Sequence, residues 1–154
     1  QAIYTPITTP TALTTAGTYY PIISLRLKSS ALDAIVITTA LSILGITNNA
    51  NYNWQVKANA VTTGGSWVSA GTDSAVEYNI TGTSTSGGRI LASGFTNGSN
   101  QGSTPVDILK EALFKFQLER NGLASTPYEI SLVATSGSNG AQIFASMDWE
   151  EISR

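Results

Sequence analysis

Along most of this chain, hydrophobic residues recur at every second position, the spacing that gives a β-strand one apolar and one wetted face. Ile23, Leu25 and Leu27 alternate with Ser24, Arg26 and Lys28, which predicts a half-exposed strand beginning near Tyr19. Tyr52, Trp54, Val56, Ala58 and Ala60 alternate with Asn53, Gln55, Lys57 and Asn59, the longest clean two-residue period in the sequence. Val76, Tyr78 and Ile80 repeat the pattern against Glu77 and Asn79. Tyr128, Ile130, Leu132 and Ala134 do so again, followed by Ile143, Ala145, Met147 and Trp149. Continuous apolar runs at 32–37 and 41–46, with shorter segments at 67–70 and 89–96, read as further strands. Residues that favour turns separate them: Asn48, Asn49 and Asn51, Gly64 and Gly65, residues 71–74, the Gly/Thr/Ser stretch 81–88, the polar loop 97–104, and SGSNGA before the last strand.

One segment departs from this period. Leu109, Ala112, Leu113 and Phe116 recur at helical spacing, and Ile108 widens their stripe. Thr104 fits as an N-cap, Pro105 as a first-turn residue, Asp107 as the returning half of a capping box, and Asn121 with Gly122 as a left-handed stop. An amphipathic α-helix over about 105–120 is therefore predicted. At about 100° per residue, Phe114 and Leu118 fall together on its otherwise polar side. That second apolar spot is covered either by a loop or arm of the same chain or by a symmetry-related subunit.

About eight strands, with turn signals every ten or so residues, predict a mainly β fold. The expected architecture is an antiparallel β-sandwich or jelly roll with the one helix packed across an end or a face. No βα alternation points to a parallel sheet. Residues 19–154 form one β domain on this reading. Residues 1–18, Thr-rich and carrying Pro6 and Pro10, read as an extended arm, since proline cannot donate to a central ladder. The arm is either a flexible linker or remnant, or it lies along a neighbouring subunit, with Tyr4 and Ile7 among its anchors. The chain opens on Gln1, as a processed product or a piece of something longer would.

Composition narrows the function. Hydrophobic residues make up 42% of the 154 positions but charged residues only 12%, so polarity comes from hydroxyls and amides. Strands favour Thr and turns favour Gly and Asn, which suits β-rich extracellular and virion proteins. A net charge of −2, with the eight basic residues scattered, gives no clustered positive field for nucleic acid. No apolar stretch is long enough for a membrane-spanning helix, so a soluble chain without membrane insertion is expected.

Catalytic chemistry is nearly excluded. Without Cys or His the chain lacks thiolates, the commonest general base and the commonest transition-metal ligand. Asp148 and Glu150 share a face of the last strand and could form a glycosidase pair, but solvated acids beside Glu151 at a strand end more often protect an edge. Asp33, Asp73, Glu77 and Asp107 could hold a hard cation, yet no calcium-loop spacing occurs. TSTSGGR at 83–89 lacks the spacing of a phosphate-cradling loop. The expectation is a protein that is not an enzyme, with no catalytic, metal or cofactor residues. Trp54 and Trp149, in phase with apolar neighbours, read as core. Trp67 and Tyr20 border turns and are the candidates for ligand contact, with loops 62–66, 81–88 and 97–104 around them. The glycosylation sequons at Asn79 and Asn97 are assigned no function.

The segments ISLRLKSSALDAIVI (23–37), YNWQV (52–56), SAVEYNI (74–80), RILASGF (89–95), DILKEALF (107–114) and DWEEI (148–152) together resemble structural proteins of tailed-bacteriophage virions, namely capsid-decoration, capsid-fibre and tail-fibre-associated β domains. The likeness is one of pattern, over roughly residues 20–152, and carries no catalytic residues. It implies a virion location and a homotrimer that meets other virion proteins such as the major capsid protein. The domain would then stiffen the shell or end a fibre. A receptor-binding module recognising a host surface glycan is the alternative. Phe114, Leu118, Tyr4 and Ile7 are the expected interface residues.

Overall fold

A computed structural model describes residues 1–98, 104–105 and 127–152. The chain folds into two antiparallel sheets that share one core, and among the described residues there is no α-helix. The first sheet has β1 (Ala2–Tyr4) and β2 (Thr11–Leu13) one after the other along one edge of β11 (Ala141–Ile152), then β4 (Ile35–Gly45) and β9 (Thr104–Pro105) on its other side. The second runs β6 (Val68–Ser69), β7 (Val76–Asn79), β3 (Tyr20–Leu27), β10 (Glu129–Ser136), β5 (Asn51–Thr63) and β8 (Ser84–Asn97).

The two-residue periods do what alternation requires. Ala141, Ile143, Ala145, Met147 and Trp149 turn inward from β11 and meet Leu41 and Ile43 of β4. Tyr52, Trp54 and Val56 of β5, Ile130, Leu132 and Ala134 of β10, and Ile23, Leu25 and Leu27 of β3 close the same core from the second sheet. Trp149 and Tyr52 are each 1% exposed, so these large side chains add most to the apolar area removed from water. The Tyr52 hydroxyl stays satisfied by donating to the Gln142 carbonyl at 2.6 Å. Gly94 leaves room for the Trp54 indole, whose atoms stand where a Cβ would be.

Several expectations are corrected. The apolar runs at 32–37 and 41–46 are not two strands: Ser29–Ala31 form a 3-10 turn and β4 then runs unbroken from Ile35 to Gly45. A ten-pair ladder with β11, with one bulge, holds it together. The stretch 81–88, expected as a loop, pairs from Ser84 onward as the first half of β8. A ladder is made by backbone and needs no apolar side chains, and the pairing is accommodated by left-handed φ values at Asn59 (64°), Gly87 (68°) and Gly88 (81°). A Cβ on Gly88 would meet the Ala58 carbonyl and the Ala60 amide, which fixes glycine there.

β3 is not half-exposed: Ile22, Ile23, Ser24 and Leu25 are all fully buried. Its outer side is met by Thr62 at the end of β5. There the Ser24 hydroxyl bonds with Thr62 Oγ1 at 2.7 Å and Ser131 Oγ at 2.9 Å. The Asn79 amide ties this corner by donating to the Gly64 carbonyl at 3.0 Å.

Thr104 and Pro105, expected at the start of a helix, instead form the short strand β9 opposite Ile43 and Ser42. Proline is tolerated there because an edge position leaves its missing amide unneeded. The rest of the predicted helix, with Phe114 and Leu118, lies outside the described residues.

The arm is corrected most sharply. Residues 1–18 do not stand apart from the β domain: Ala2–Tyr4 pair with Asp148–Ser146, and Thr11–Leu13 with Ile143–Ala141. They form one edge of the first sheet, interrupted by a loop bearing Pro6 and Pro10. Thr5 bridges the interruption: its amide donates to the Ala145 carbonyl at 2.9 Å, and its hydroxyl accepts from the Ala145 amide at 3.0 Å. Leu13 is fully buried in the common core. Leu13→Ala is expected to lower unfolding free energy by about 2–5 kcal/mol, the usual cost of a buried leucine truncation. Denaturant titration measures it, and a loss near zero would show that the arm does not help hold the core.

Candidate functional site

The outer face of the first sheet carries an apolar depression. Leu44 and Phe144 lie out of phase with the inward rows of β4 and β11 and so point away from the core. Ser42 and Ser146 stand beside them, their hydroxyls 2.7 Å apart. Tyr4 and Ile7 rise along one side, 67% and 83% exposed, and the group encloses a shallow cavity of about 460 Å³. The structure thus brings Tyr4 and Ile7 together and adds Leu44 and Phe144, which sequence reasoning missed. Their signal was a large apolar residue among the wetted positions of each strand, Leu44 beside Ser42 and Phe144 between Gln142 and Ser146.

The ligand-contact candidates are both engaged. The Trp67 ring lies against Arg26, whose guanidinium carbon is 3.9 Å from the ring centroid, and Arg26 Nε donates to Glu77 at 3.3 Å. Stacking of this kind places a cation on the electron-rich ring face. The Tyr20 hydroxyl accepts from the Thr15 amide at 2.9 Å, and hydrogen bonding with Thr15 holds its pKa below the usual phenol value against some opposing desolvation. Trp67 and Tyr20 make no common site. The loops near Trp67 are also braced, with the Ser66 amide donating to Thr81 Oγ1 at 3.0 Å and the Thr83 amide to the Thr63 carbonyl at 2.8 Å. Of the two sequons, Asn79 is buried and Asn97 exposed.

The acidic residues do not converge. Asp148 and Glu150 are exposed on the outer face of β11, opposite Ala40 and Ile37. Asp33 and Asp73 line a separate cavity of about 420 Å³ with Ser30, Thr72 and Ser74, while Glu77 is taken up by Arg26. Asp107 lies outside the described residues. Among the described residues no group of three or more candidate ligands stands where it could hold a metal ion.

Glu151, grouped with the solvated acids by sequence, is instead a structural anchor. Its carboxylate accepts from the Ser74 hydroxyl at 2.6 Å, the Ala75 amide at 2.6 Å and the Trp149 indole at 2.9 Å. Partial burial pushes its pKa up, but the bonds from Ser74, Trp149 and Ala75 together outweigh that and hold it below the ordinary value.

Comparison with protein-family models, with curated proteins and with solved structures finds no match in any of the three. The fold and surface therefore define a class only: a mainly β protein of two antiparallel sheets, with an apolar depression on one outer face.

A carboxylate with a depressed folded-state pKa stabilises above its unfolded pKa and loses that contribution as pH falls through the folded value. Wild-type stability is accordingly expected to drop through the acid range. Glu151→Gln should be less stable at neutral pH and show a shallower acid limb in denaturant titrations. Parallel pH profiles for the two proteins would remove the anchoring role.

Proposed function

We propose that this chain is a non-enzymatic structural component of a tailed-phage virion, a β-sandwich that decorates the capsid or forms part of a fibre through contacts between copies. The observation that carries the reading is the depression formed by Tyr4, Ile7, Leu44 and Phe144. Contiguous exposed apolar surface on a β domain otherwise covered by hydroxyls and amides marks a place where another macromolecule sits. Interfaces of this kind combine a few apolar or aromatic anchors with many weak polar contacts around them. The strand phrases that resemble phage shell and fibre proteins supply the virion setting, and a neighbouring copy is the occupant this reading assigns.

The alternative role, recognition of a host surface glycan, draws less support, because one face of Trp67 is already covered by Arg26. The other candidate aromatic, Tyr20, is separately occupied with Thr15.

The reading expects self-association with three copies as the unit, and density for this domain on intact particles. Ile7→Asp and Tyr4→Ser, both at exposed positions, should weaken association without unfolding the domain. Light scattering of wild type and variants, with imaging of the particle, decides it. A stable monomer, or an assembly indifferent to both substitutions, would sink the proposed contact.

A further inference from the structure

Among the described residues, three of the four sheet edges are formed by short or interrupted strands. β6 and β9 are two residues long, and β9 contains Pro105. The edge formed by β1 and β2 is two three-residue pieces separated by the loop that carries Pro6 and Pro10. Short strands, prolines and interruptions are the usual devices that keep a free edge from recruiting strands. β8 is neither short nor proline-bearing, and its one irregularity is the bulge at Leu91. It is fourteen residues long, contains no proline, carries Arg89 as its sole ionisable side chain, and among the described residues pairs only with β5.

The same strand presents two large apolar side chains to solvent, Ile90 at 56% and Phe95 at 81% exposure. They are five residues apart, which in a regular strand would put them on opposite faces. The bulge opposite Val56 and Lys57 absorbs Leu91, so Ile90 stands opposite Lys57 and Phe95 opposite Asn53. Those two partners are four apart on β5, and both apolar side chains therefore lie on the outer face of the second sheet. The surface beneath Phe95 is rigid: the Tyr19 hydroxyl donates to Asn53 Oδ1 at 2.5 Å, and Asn53 Nδ2 donates to the Gly94 carbonyl at 3.0 Å.

We propose that the free edge of β8 pairs antiparallel with the β8 edge of a second copy about a twofold axis at Ser93, continuing the six-stranded sheet across two chains. Counting register positions along β5, Ser93 lies midway between Ile90 and Phe95. A twofold there sets Ile90 of each copy opposite Phe95 of the other on the same face, giving two aromatic–aliphatic cross-strand pairs. It sets Arg89 opposite Thr96, keeping the two guanidinium groups apart. The ladder would run from Gly88 to Asn97 and end where the left-handed Gly87–Gly88 pair bends the strand.

Ten residues at about 3.3 Å each give a ladder roughly 30 Å long. With a sheet about 10 Å thick, the backbone strip alone covers on the order of 300 Å² per copy, to which Ile90 and Phe95 add. That is below the roughly 800 Å² per partner of a standard interface, so pairing is concentration-dependent. A twofold contact uses the same edge from both chains, so it closes instead of propagating.

This inference stands apart from the virion reading, since it uses only β8 and not the Tyr4/Ile7 depression. It is tested by native mass at sub-millimolar protein and by amide hydrogen exchange, on wild type, Phe95→Asp and Ile90→Asp, with far-UV circular dichroism confirming the fold. Two copies are expected, or six where the threefold contact also forms. Either substitution should halve the mass and make slow amides within 90–95 exchange fast, whereas Ile7→Asp leaves those amides slow. A monomer, a bare trimer, an open-ended polymer, or a mass unmoved by both β8 substitutions overturns it.

Discussion

The inward row of β11, from Ala141 to Trp149, is the surface against which the rest of the molecule is assembled. β4 pairs along one edge of that strand, β1 and β2 share the other, and the second sheet closes over its buried face. A strand flanked on both edges and buried on one face cannot slip by a single residue without exposing all five inward side chains, so its register is strongly specified. Glu151 reinforces that register near the strand's end. It holds the Trp149 indole on one side and the Ser74–Ala75 turn on the other, linking the first sheet to the approach to β7. An acid so close to the chain's end therefore acts as an internal tie.

From this constraint follows the distribution of surface. Once the inward rows are committed to the common core, apolar residues at the remaining positions have only the outer faces to occupy. Leu44 and Phe144 are placed there by the β4–β11 ladder, and Tyr4 and Ile7 reach the same face because the N-terminal strands pair with β11. On the second sheet, the bulge at Leu91 aligns Ile90 with Phe95 on the outer face. Two separate apolar features result, one on a sheet face and one along a sheet edge. Neither is accompanied by converging acids or a cation cluster among the described residues. Both present apolar side chains set among hydroxyls and amides.

The mainly β, antiparallel character was legible because the two-residue period is a direct projection of one-sided burial. Tyr52, Trp54, Val56, Ala58 and Ala60 are buried as their alternation implies, as are Ile143, Ala145, Met147 and Trp149. The extent of strands was less legible. The first half of β8 is Gly, Ser and Thr, and its pairing depends on backbone groups and on left-handed glycines opposite Asn59, neither of which leaves a hydropathy signal. The burial of Ser24 and Asn79 was likewise hidden. Their polarity is satisfied by Thr62 and Gly64 at the end of β5, by Ser131 of β10 and by Thr81 just beyond β7. Of the candidate site, Tyr4 and Ile7 were within reach of the sequence, while Leu44 and Phe144 looked like ordinary members of apolar runs.

Sequence by itself determined which side chains of the alternating strands β5 and β11 leave water, because hydrophobic spacing there is set by local backbone geometry and needs no knowledge of neighbours. It also showed which side-chain groups these 154 residues do not carry, the thiol of Cys and the imidazole of His. Tertiary structure alone decided which strand lies beside which, that residues 1–18 complete a sheet, and that β8 pairs only with β5 among the described residues. Those outcomes depend on ladders between residues far apart in the chain, as far as Ala2 opposite Asp148, and the hydrogen bonds that form them are made by a backbone that is the same in every sequence.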